Sequence, residues 1–488
     1  MSVSIDVTPE ILPSILVIGG EGRSTGAGGT MQHVNPANGR VQQTFPVAGS
    51  SDVEEAVAQA KGAFEVWRHW HPKERKRALS RLADLLRIEG KNLGTTAALE
   101  SGIPSSPGMS MASSSADWVE YAAGWADRIE GHVVDSASEG AFKCTVEEPV
   151  GVVAVILTWN GPIMSLGMCV APALAAGCSV IIKPSELAPF SSMRFGLLAV
   201  AAGLPPGAVS VLTGGWEVGD ALIRHPDVAK VSFTGGTQAA KTIATTCAES
   251  LKPAVYELGG KSANIVFPDA DLTQASESVL SMCRLSGQSC TLASRHIVHA
   301  DCYEEYLDRI SILLKGVAIG DPLDPMTQMG PVINEAACSR IMAMIDEAQI
   351  AGMTPLIGGS RLGGHLAGGY FIEPTVYADV DRNARLAREE VFGPVLVVMR
   401  FEEEEEALAI ANDSEYGLAG YVHTRDLDRA LRIASALNVG TVGVNGGSAP
   451  SGPNTPFGGR RRSGYGSVGG LSGIQEYLHA KSINIRMQ

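Results

Sequence analysis

The chain is expected to be an α/β protein built from two doubly wound parallel sheets, and three observations carry that expectation. From 150 to 257, apolar runs alternate with helical stretches: Val150–Leu157, Ser179–Ile182, Ala208–Leu212 and Val228–Phe233. From 258 to about 460 the alternation restarts, with Asn264–Phe267, Arg295–Val298, Gly369–Val376, Val395–Arg400, Gly420–His423 and Thr441–Asn445. Strands buried on both faces read as such near-continuous apolar runs, and helices between them make the sheets parallel. The 488 residues, 45% apolar and 18% charged, suffice for two or three domains with large cores.

The other elements follow in order. Residues 14 to 30, rich in Gly, Ser and Thr, read as strand ends and loops, and Asn35-Pro36 marks a turn. Ser51 and Glu54 form a capping-box pattern. Val53, Val57, Ala60, Phe64 and Trp67 then keep helical spacing, which predicts one buried face. A second amphipathic helix is expected over Lys73 to Gly90, and another around Asp117 to Glu130. Ala141 to Glu148 alternates Phe142, Cys144 and Val146 against Lys143, Thr145 and Glu147, the pattern of a two-faced strand. The terminal KSINIRMQ does the same with Ile483, Ile485 and Met487; the two strands can pair with each other or extend another subunit's sheet. Glu402 to Glu406 begins a helix, where acidic residues suit the positive N-terminal end.

Composition excludes several classes. The net charge of −14 argues against a nucleic-acid surface, and Arg460 to Arg462 reads as a solvated loop. The eight cysteines show no CxxC pair, so reduced thiols in a cytoplasmic compartment are expected. The ten histidines include no HExxH and no close Cys pairing, so no metal site is expected. The start MSVSIDVTPE lacks the basic and apolar regions of a signal peptide. Residues 149 to 182 carry no charged side chain, long enough to suggest a membrane span. Trp159-Asn160-Gly161-Pro162, Pro172, Gly177 and Ser179 divide that run into strand, loop, helix and strand, so no membrane association is expected. Gly464-Tyr-Gly466-Ser-Val-Gly469 fits GxGxxG, but no strand precedes it and too little chain follows for a βαβ unit.

The stretch GQSCTLASR, Gly287 to Arg295, sets Cys290 among small residues. A lone cysteine is ordinarily a small buried apolar group. It serves as a nucleophile where its thiolate is favoured and a carbonyl can approach. Around it in sequence order stand TWNGP (Thr158–Pro162), KPSE (Lys183–Glu186), YELGGKSANIVFPDAD (Tyr256–Asp271), EEVFGPV (Glu389–Val395) and PFGGRRRSG (Pro456–Gly464). In this order and spacing the set resembles the aldehyde dehydrogenase superfamily, of the non-acylating, hydrolytic type, over nearly the whole chain.

The resemblance implies a Rossmann-like cofactor domain over 1–128 and 150–257 and a catalytic domain over 258–465. It also implies a small β oligomerisation arm from 129–149 and 466–488, and hence a homodimer or homotetramer. It implies Cys290 as nucleophile, Asn160 as donor to the substrate oxygen, and Glu257 as the general base that hydrolyses a thioester. NAD is the implied cofactor. Thr158, Trp159, Lys183, Ser185, Glu186 and Gly214 fall at its contact positions, as do Phe233, Gly235, Gly236, Thr237, Leu258, Gly259, Glu390 and Phe392. Glycines at a helix start let backbone N–H groups meet phosphate. A carboxylate at Glu186 accepts from ribose hydroxyls and repels a 2′-phosphate, which favours NAD over NADP.

The chain departs from the family in places. Cys169 stands where many relatives have lysine, Gly236 where serine is usual, Ala240 where glycine is usual, and Ser467-Val468 where Arg-Glu is common. The Cys169 change puts any lysine proton relay in doubt; the Ser467-Val468 change is read as concerning packing near the arm. By position Trp118, Gly161, Ser165, Met168, Ser289, Thr291 and Ser451 line the substrate entry. No Arg or Lys lies between Asn160 and Ile182, so an uncharged aromatic or apolar aldehyde is favoured. The alternatives are a semialdehyde or short aliphatic aldehyde as substrate, esterase activity alone, or a non-catalytic NAD-binding relative.

Overall fold

The computed structural model describes residues 11–135, 141–447 and 449–486. The opening segment MSVSIDVTPE and Met487 lie outside the described residues. β1 (Leu16–Ile18) and β2 (Glu21–Arg23) form a hairpin, and β3 (Thr30–Asn35) pairs with β4 (Arg40–Pro46) as a separate ribbon. Four helices follow: α1 (Ser50–Trp67), α2 (Pro72–Ile88), α3 (Gly90–Ser101) and α4 (Ser105–Trp125).

α1 buries Val53, Val57, Ala60, Phe64 and Trp67, the face its spacing predicts. Its cap is not the Ser51/Glu54 box. The helix begins after Gly49, whose N–H donates to the Asp52 carboxylate at 2.8 Å, and Asp52 also accepts from the Ala27 N–H at 2.7 Å. Glu54 instead faces His225 at 3.3 Å. α3 and the first half of α4 lie where the sequence gives no helical pattern, and α4 ends at Trp125 rather than near Glu130. Small residues explain them: a Cβ on Gly108 would sit 3.0 Å from the Gly94 Cα, so the two helices meet backbone to backbone. Such helices are stabilised by tertiary packing rather than by an apolar period.

β5 (Val133–Val134) and β6 (Ala141–Pro149) precede a run of alternating elements: β7 (Val152–Ile156), α5 (Pro162–Ala176), β8 (Ser179–Lys183), α6 (Phe190–Ala201), β9 (Val209–Val211), α7 (Trp216–Arg224), β10 (Val228–Thr234), α8 (Thr237–Glu249) and β11 (Ala254–Glu257). The second half supplies β12 (Ala263–Val266), β13 (Arg295–His299), β14 (Thr375–Tyr377), β15 (Val395–Phe401), β16 (Ala419–His423), β17 (Thr441–Val444), β18 (Gly464–Tyr465) and β19 (Leu478–Arg486).

Among the described residues the first large sheet has the order β18-β11-β10-β7-β8-β9-β1-β2 and the second the order β14-β15-β13-β12-β16-β17. The strands from β7 to β11 run parallel, as do all pairs of the second sheet. The strand order in the first sheet reverses at β7, with β8 on one side and β10 on the other. Open α/β sheets bind ligands at the carboxyl ends of the strands at such a switch point.

Most of Gly369–Val376 is irregular, and only Thr375–Tyr377 forms a strand there. β18 returns to the first sheet by pairing antiparallel with β11. The GxGxxG segment therefore starts in a two-residue edge strand. β19 pairs antiparallel with β6, Ile483 opposite Cys144 and Ile485 opposite Phe142. The two alternating segments thus meet in one three-stranded sheet with β5. Its faces are not sorted into buried and exposed, since Phe142 and Ile485 are both exposed. Among the described residues no helix is long and apolar enough to cross a membrane.

Candidate active site

The residues expected to carry chemistry lie where the carboxyl edge of the first sheet meets the amino edge of the second. Glu257 is the last residue of β11, and Asn160 follows β7 by four residues. Cys290 precedes β13 by five residues. The Asn160 side-chain amide donates to the Gln288 carbonyl at 2.9 Å, which ties the loop after β7 to the cysteine loop across 128 residues of sequence. Gln288 is fixed in turn: its Oε1 accepts from the Ile333 N–H at 2.9 Å. Gly260 passes so close that an added Cβ would lie 2.3 Å from the Cys290 carbonyl oxygen, so only glycine fits there.

Cys290 is half-buried at the edge of the first domain's core. Burial pushes its thiol up to about 12, and the Glu390 and Glu257 carboxylates add to the rise. The N–H groups of Cys290 and Thr291 oppose it by pointing at the sulfur. Glu257 is 6% exposed, and among the described residues neither carboxylate oxygen has a hydrogen-bond partner. Desolvation raises its pKa well above the ordinary carboxylate range, and the Glu476 charge raises it further. Burial thus raises both the nucleophile candidate and the base candidate.

The cofactor candidates gather along the same edge. Glu390 accepts from the Gly260 N–H at 2.9 Å, and burial raises its pKa to about 7 against the opposing pull of that bond, Lys261 and Arg340. Phe392 holds a left-handed backbone, φ 48°, and meets the Trp159 ring edge-on at 5.4 Å. Gly259 lies against Glu390, and the Leu258 N–H donates to the Ser463 carbonyl at 3.1 Å. Lys183, buried, reaches Glu186 at 3.5 Å, and desolvation lowers its pKa. Ser185 closes a turn by accepting from the Leu187 N–H at 3.2 Å.

An anionic group fits the start of α8. No side chain caps the helix, and a Cβ on Gly236 would meet nothing within 4 Å. Gly235 is spoken for: its N–H donates to the Glu257 carbonyl at 3.1 Å, and the Phe233 ring leaves no room for a side chain there. Thr237 reaches the Arg462 carbonyl at 3.4 Å.

The entry candidates are only partly drawn together. Ser289 and Thr291 hydroxyls share a 3.2 Å contact beside Cys290. Gly161 and Ser165 open α5, with the Ser165 hydroxyl donating to the Gly161 carbonyl at 2.7 Å. Met168 packs at the edge of the same core. Trp118 is buried on α4, the helix against α5, and touches Gly469. Ser451 is exposed and bonds Thr455 at 2.9 Å.

Cys169 is buried with its sulfur 3.8 Å from the Thr234 hydroxyl, and burial pushes the thiol up to about 12. The Ser467-Val468 segment lies closer to the chemistry than arm packing implies. Val468 pairs with Phe457 in an antiparallel bridge, and a Cβ on the next residue, Gly458, would lie 3.5 Å from Glu257 Oε1. The Ser467 N–H donates to Glu476 at 3.2 Å, and Glu476 is paired with buried Lys230 at 2.6 Å. Gln288, Gly260, Lys230 and Glu476 were not legible as site residues, because their roles depend on partners distant in sequence.

Comparison with known proteins bears on the family of the chain. A family model described as the aldehyde dehydrogenase family matches residues 24–483. A mitochondrial succinate-semialdehyde dehydrogenase of Arabidopsis thaliana is 37% identical over 96% of this chain and 88% of its own. A phenylacetaldehyde dehydrogenase of Pseudomonas fluorescens is 37% identical over 97% of this chain and 96% of its own. The crystal structure of PnpE from Pseudomonas sp. WBC-3 superposes with a TM-score of 0.95 at 38% identity, covering 98% of each chain. A structure of PnpE in complex with nicotinamide adenine dinucleotide superposes equally well.

Proposed function

The chain belongs to the aldehyde dehydrogenase family, and we propose that it oxidises an uncharged aromatic or apolar aldehyde to the carboxylic acid, with NAD as cofactor, Cys290 as nucleophile and Glu257 as general base. The observation that carries the mechanism is the Glu257 carboxylate, buried without a hydrogen-bond partner and within electrostatic reach of Cys290. A carboxylate left unsatisfied has room to accept from water, and its raised pKa makes its ionised form a stronger base than an ordinary carboxylate.

The Cys290 thiol loses its proton to solvent, the resulting thiolate attacks the aldehyde carbon, and the charge that develops on oxygen is met by the Asn160 amide and the Cys290 N–H. Asn160 changes partner from the Gln288 carbonyl to do so. A nicotinamide held by Glu390 and Phe392 would supply the hydride acceptor for the carbon bonded to Cys290. Cys290 then carries a thioester. Glu257 removes a proton from water as that water attacks the thioester, and the acid departs with Cys290 restored.

Glu390 and Phe392 hold the nicotinamide side of the cofactor, Lys183 and Glu186 the adenosine ribose, and the open start of α8 the pyrophosphate. NAD is preferred over NADP because a 2′-phosphate beside Glu186 adds like-charge repulsion, on the order of 1 kcal/mol at contact even in water. Residues 1–128 and 150–257 form the cofactor domain and 258–465 the catalytic domain. The segments 129–149 and 466–488 form an arm that joins copies into a dimer or tetramer in the cytoplasm.

The uncharged substrate is supported by the absence of a cation from α5 and by the open space at Gly161, where a Cβ would meet only Ser165 Oγ at 3.8 Å. The deciding experiment follows NADH absorbance over a panel of aldehydes with NAD and with NADP. A higher kcat/KM for succinate semialdehyde than for benzaldehyde-type substrates would refute the pocket reading. No turnover with any aldehyde would refute the activity.

A further inference from the structure

Tyr421 is the middle residue of β16, which lies between β12 and β17 in the second sheet. Its ring occupies space that Gly443 leaves open. The two residues are register partners on β16 and β17, and a Cβ on Gly443 would lie 2.9 Å from Tyr421 Cδ1. The Tyr421 hydroxyl donates to the Thr291 carbonyl at 2.9 Å, across 130 residues of sequence. Among the described residues that carbonyl accepts no other hydrogen bond.

The residue held in this way is the neighbour of Cys290. Thr291 gives its carbonyl to Tyr421 and its N–H to the Cys290 sulfur. The rest of the loop is tied from other sides. The Gln288 carbonyl accepts from Asn160, the Leu292 N–H donates to the Ser289 carbonyl, and the Ala293 carbonyl contacts the His296 ring. β16 also meets the loop through Leu418, just before its start, since Leu418 and the Cys290 carbonyl both close on Gly260. Among these ties the Tyr421 bond is the one that fastens the Thr291 carbonyl.

We propose that Tyr421 is a positioning residue for Cys290: its hydroxyl holds the Thr291 backbone so that the Thr291 N–H stays on the sulfur when the thiol ionises. This deepens the reading of Cys290 as nucleophile and rests on it. A donor aimed at a thiolate favours the charged form. An aim kept by a buried hydrogen bond needs no rearrangement at the moment of attack. The titratable groups facing the sulfur are Glu257 at the end of β11, Glu390 before β15 and Tyr421 itself. Both carboxylates oppose ionisation, and the two N–H groups work in its favour. Burial raises the Tyr421 phenol above its ordinary range, so it keeps its proton and remains a donor.

The test is the pH profile of Cys290 alkylation by iodoacetamide in the full-length protein, read as the mass of the Cys290 peptide. Tyr421→Phe removes one oxygen and keeps the ring beside Gly443, so the fold should be retained. Its profile should move to higher pH by about one unit, a fall in rate of about tenfold at any pH below the midpoint, the effect of weakening one hydrogen bond to a charged group. Methyl methanethiosulfonate, a thiolate reagent of different shape, should show the same fall. The kcat/KM for an aldehyde should drop by about tenfold while the KM of NAD stays within about twofold. Tyr377→Phe removes a hydroxyl bonded to the Ile345 carbonyl at 3.4 Å in the same sheet, and its profile should match wild type. A Tyr421→Phe profile that superposes on wild type would overturn the positioning role and leave Cys290 as nucleophile. A fall confined to one reagent would report access instead of ionisation and would overturn it too. Wild-type protein that still oxidises aldehydes after Cys290 is alkylated would overturn the nucleophile reading, and the proposal with it.

Discussion

Glu100 and Glu257 are both buried glutamates, and their surroundings are opposite. Glu100, fully buried near the end of α3, accepts from the N–H groups of Phe190 at 2.8 Å and Ser191 at 3.2 Å, and from the Ser191 hydroxyl. It thereby joins α3 to the first turn of α6, where a negative group suits the helix end. The Glu257 carboxylate accepts no hydrogen bond among the described residues. Burial raises both, Glu100 to about 7 and Glu257 well above the ordinary range, and only at Glu100 do donors pull the value back. A buried carboxylate surrounded by donors serves as a structural acceptor. One stripped of them is costly at rest, and the proposed role of Glu257 as general base would give it water as the missing partner.

The largest expected effect removes the group that Glu257 serves. Cys290→Ala should abolish aldehyde oxidation, measured as NADH formation, while calorimetry still detects NAD binding. Substantial turnover in this variant would assign the nucleophile elsewhere. Next is Glu257→Gln, which should slow deacylation by about 10²–10⁴-fold, the usual worth of a general base. The acyl-enzyme should then accumulate as a mass increase on the Cys290 peptide. A base is active only when charged, so the raised pKa of Glu257 makes the wild-type deacylation rate climb with pH up to that pKa. The Gln variant should lose this dependence, and an unchanged steady-state rate would exclude the role.

Glu100 should respond in the opposite sense. Glu100→Ala orphans two backbone donors and a hydroxyl, at about 1–3 kcal/mol each when buried, so its thermal midpoint should fall. The kcat of the protein that remains folded should hold. The sign of the pH effect follows from a folded-state value of about 7 against 4.5 for the ordinary group. The folded protein holds this proton more tightly, so the stabilising contribution is complete below about 4.5 and is lost as pH rises through 7. Glu100→Gln keeps an acceptor without the charge and should flatten that slope. If Glu100→Ala instead lost activity with no loss of stability, the contrast between the two carboxylates would collapse.

The contrast also marks what the sequence could reveal. β7, β8, β10, β12, β13 and β15 are legible because strands buried on both faces are rich in apolar residues. α3 and the start of α4 are not, because their close approach relies on Gly94 and Gly108, residues that disfavour helix when read locally. The cap of α1 is hidden for a related reason. Asp52 is chosen over Glu54 by the Ala27 N–H, which only the folded chain brings near. Cys290, Asn160 and Glu257 stand out within short motifs. The features that equip them do not: the Asn160–Gln288 bond, the Gly260 approach and the empty surroundings of Glu257 all come from packing between the two sheets.

The smallest expected effect concerns the space in front of Cys290. Gly161 immediately precedes α5, with φ −150° and ψ 55°. A side chain there points into open space, with Ser165 Oγ as its nearest neighbour at 3.8 Å. Putting Trp at this position therefore adds volume where a Cβ meets no close neighbour. Ring-bearing aldehydes need that volume and acetaldehyde does not. Gly161→Trp should raise KM for benzaldehyde-type substrates by about tenfold, within the 1–3 kcal/mol that modest steric changes in a pocket command, and leave KM for acetaldehyde within about twofold. Because only binding space changes, the pH dependence set by Glu257 should be retained for acetaldehyde. If KM rises equally for both substrates, residue 161 acts on the shared reacting centre, and the open space at α5 does not set the preference for a ring.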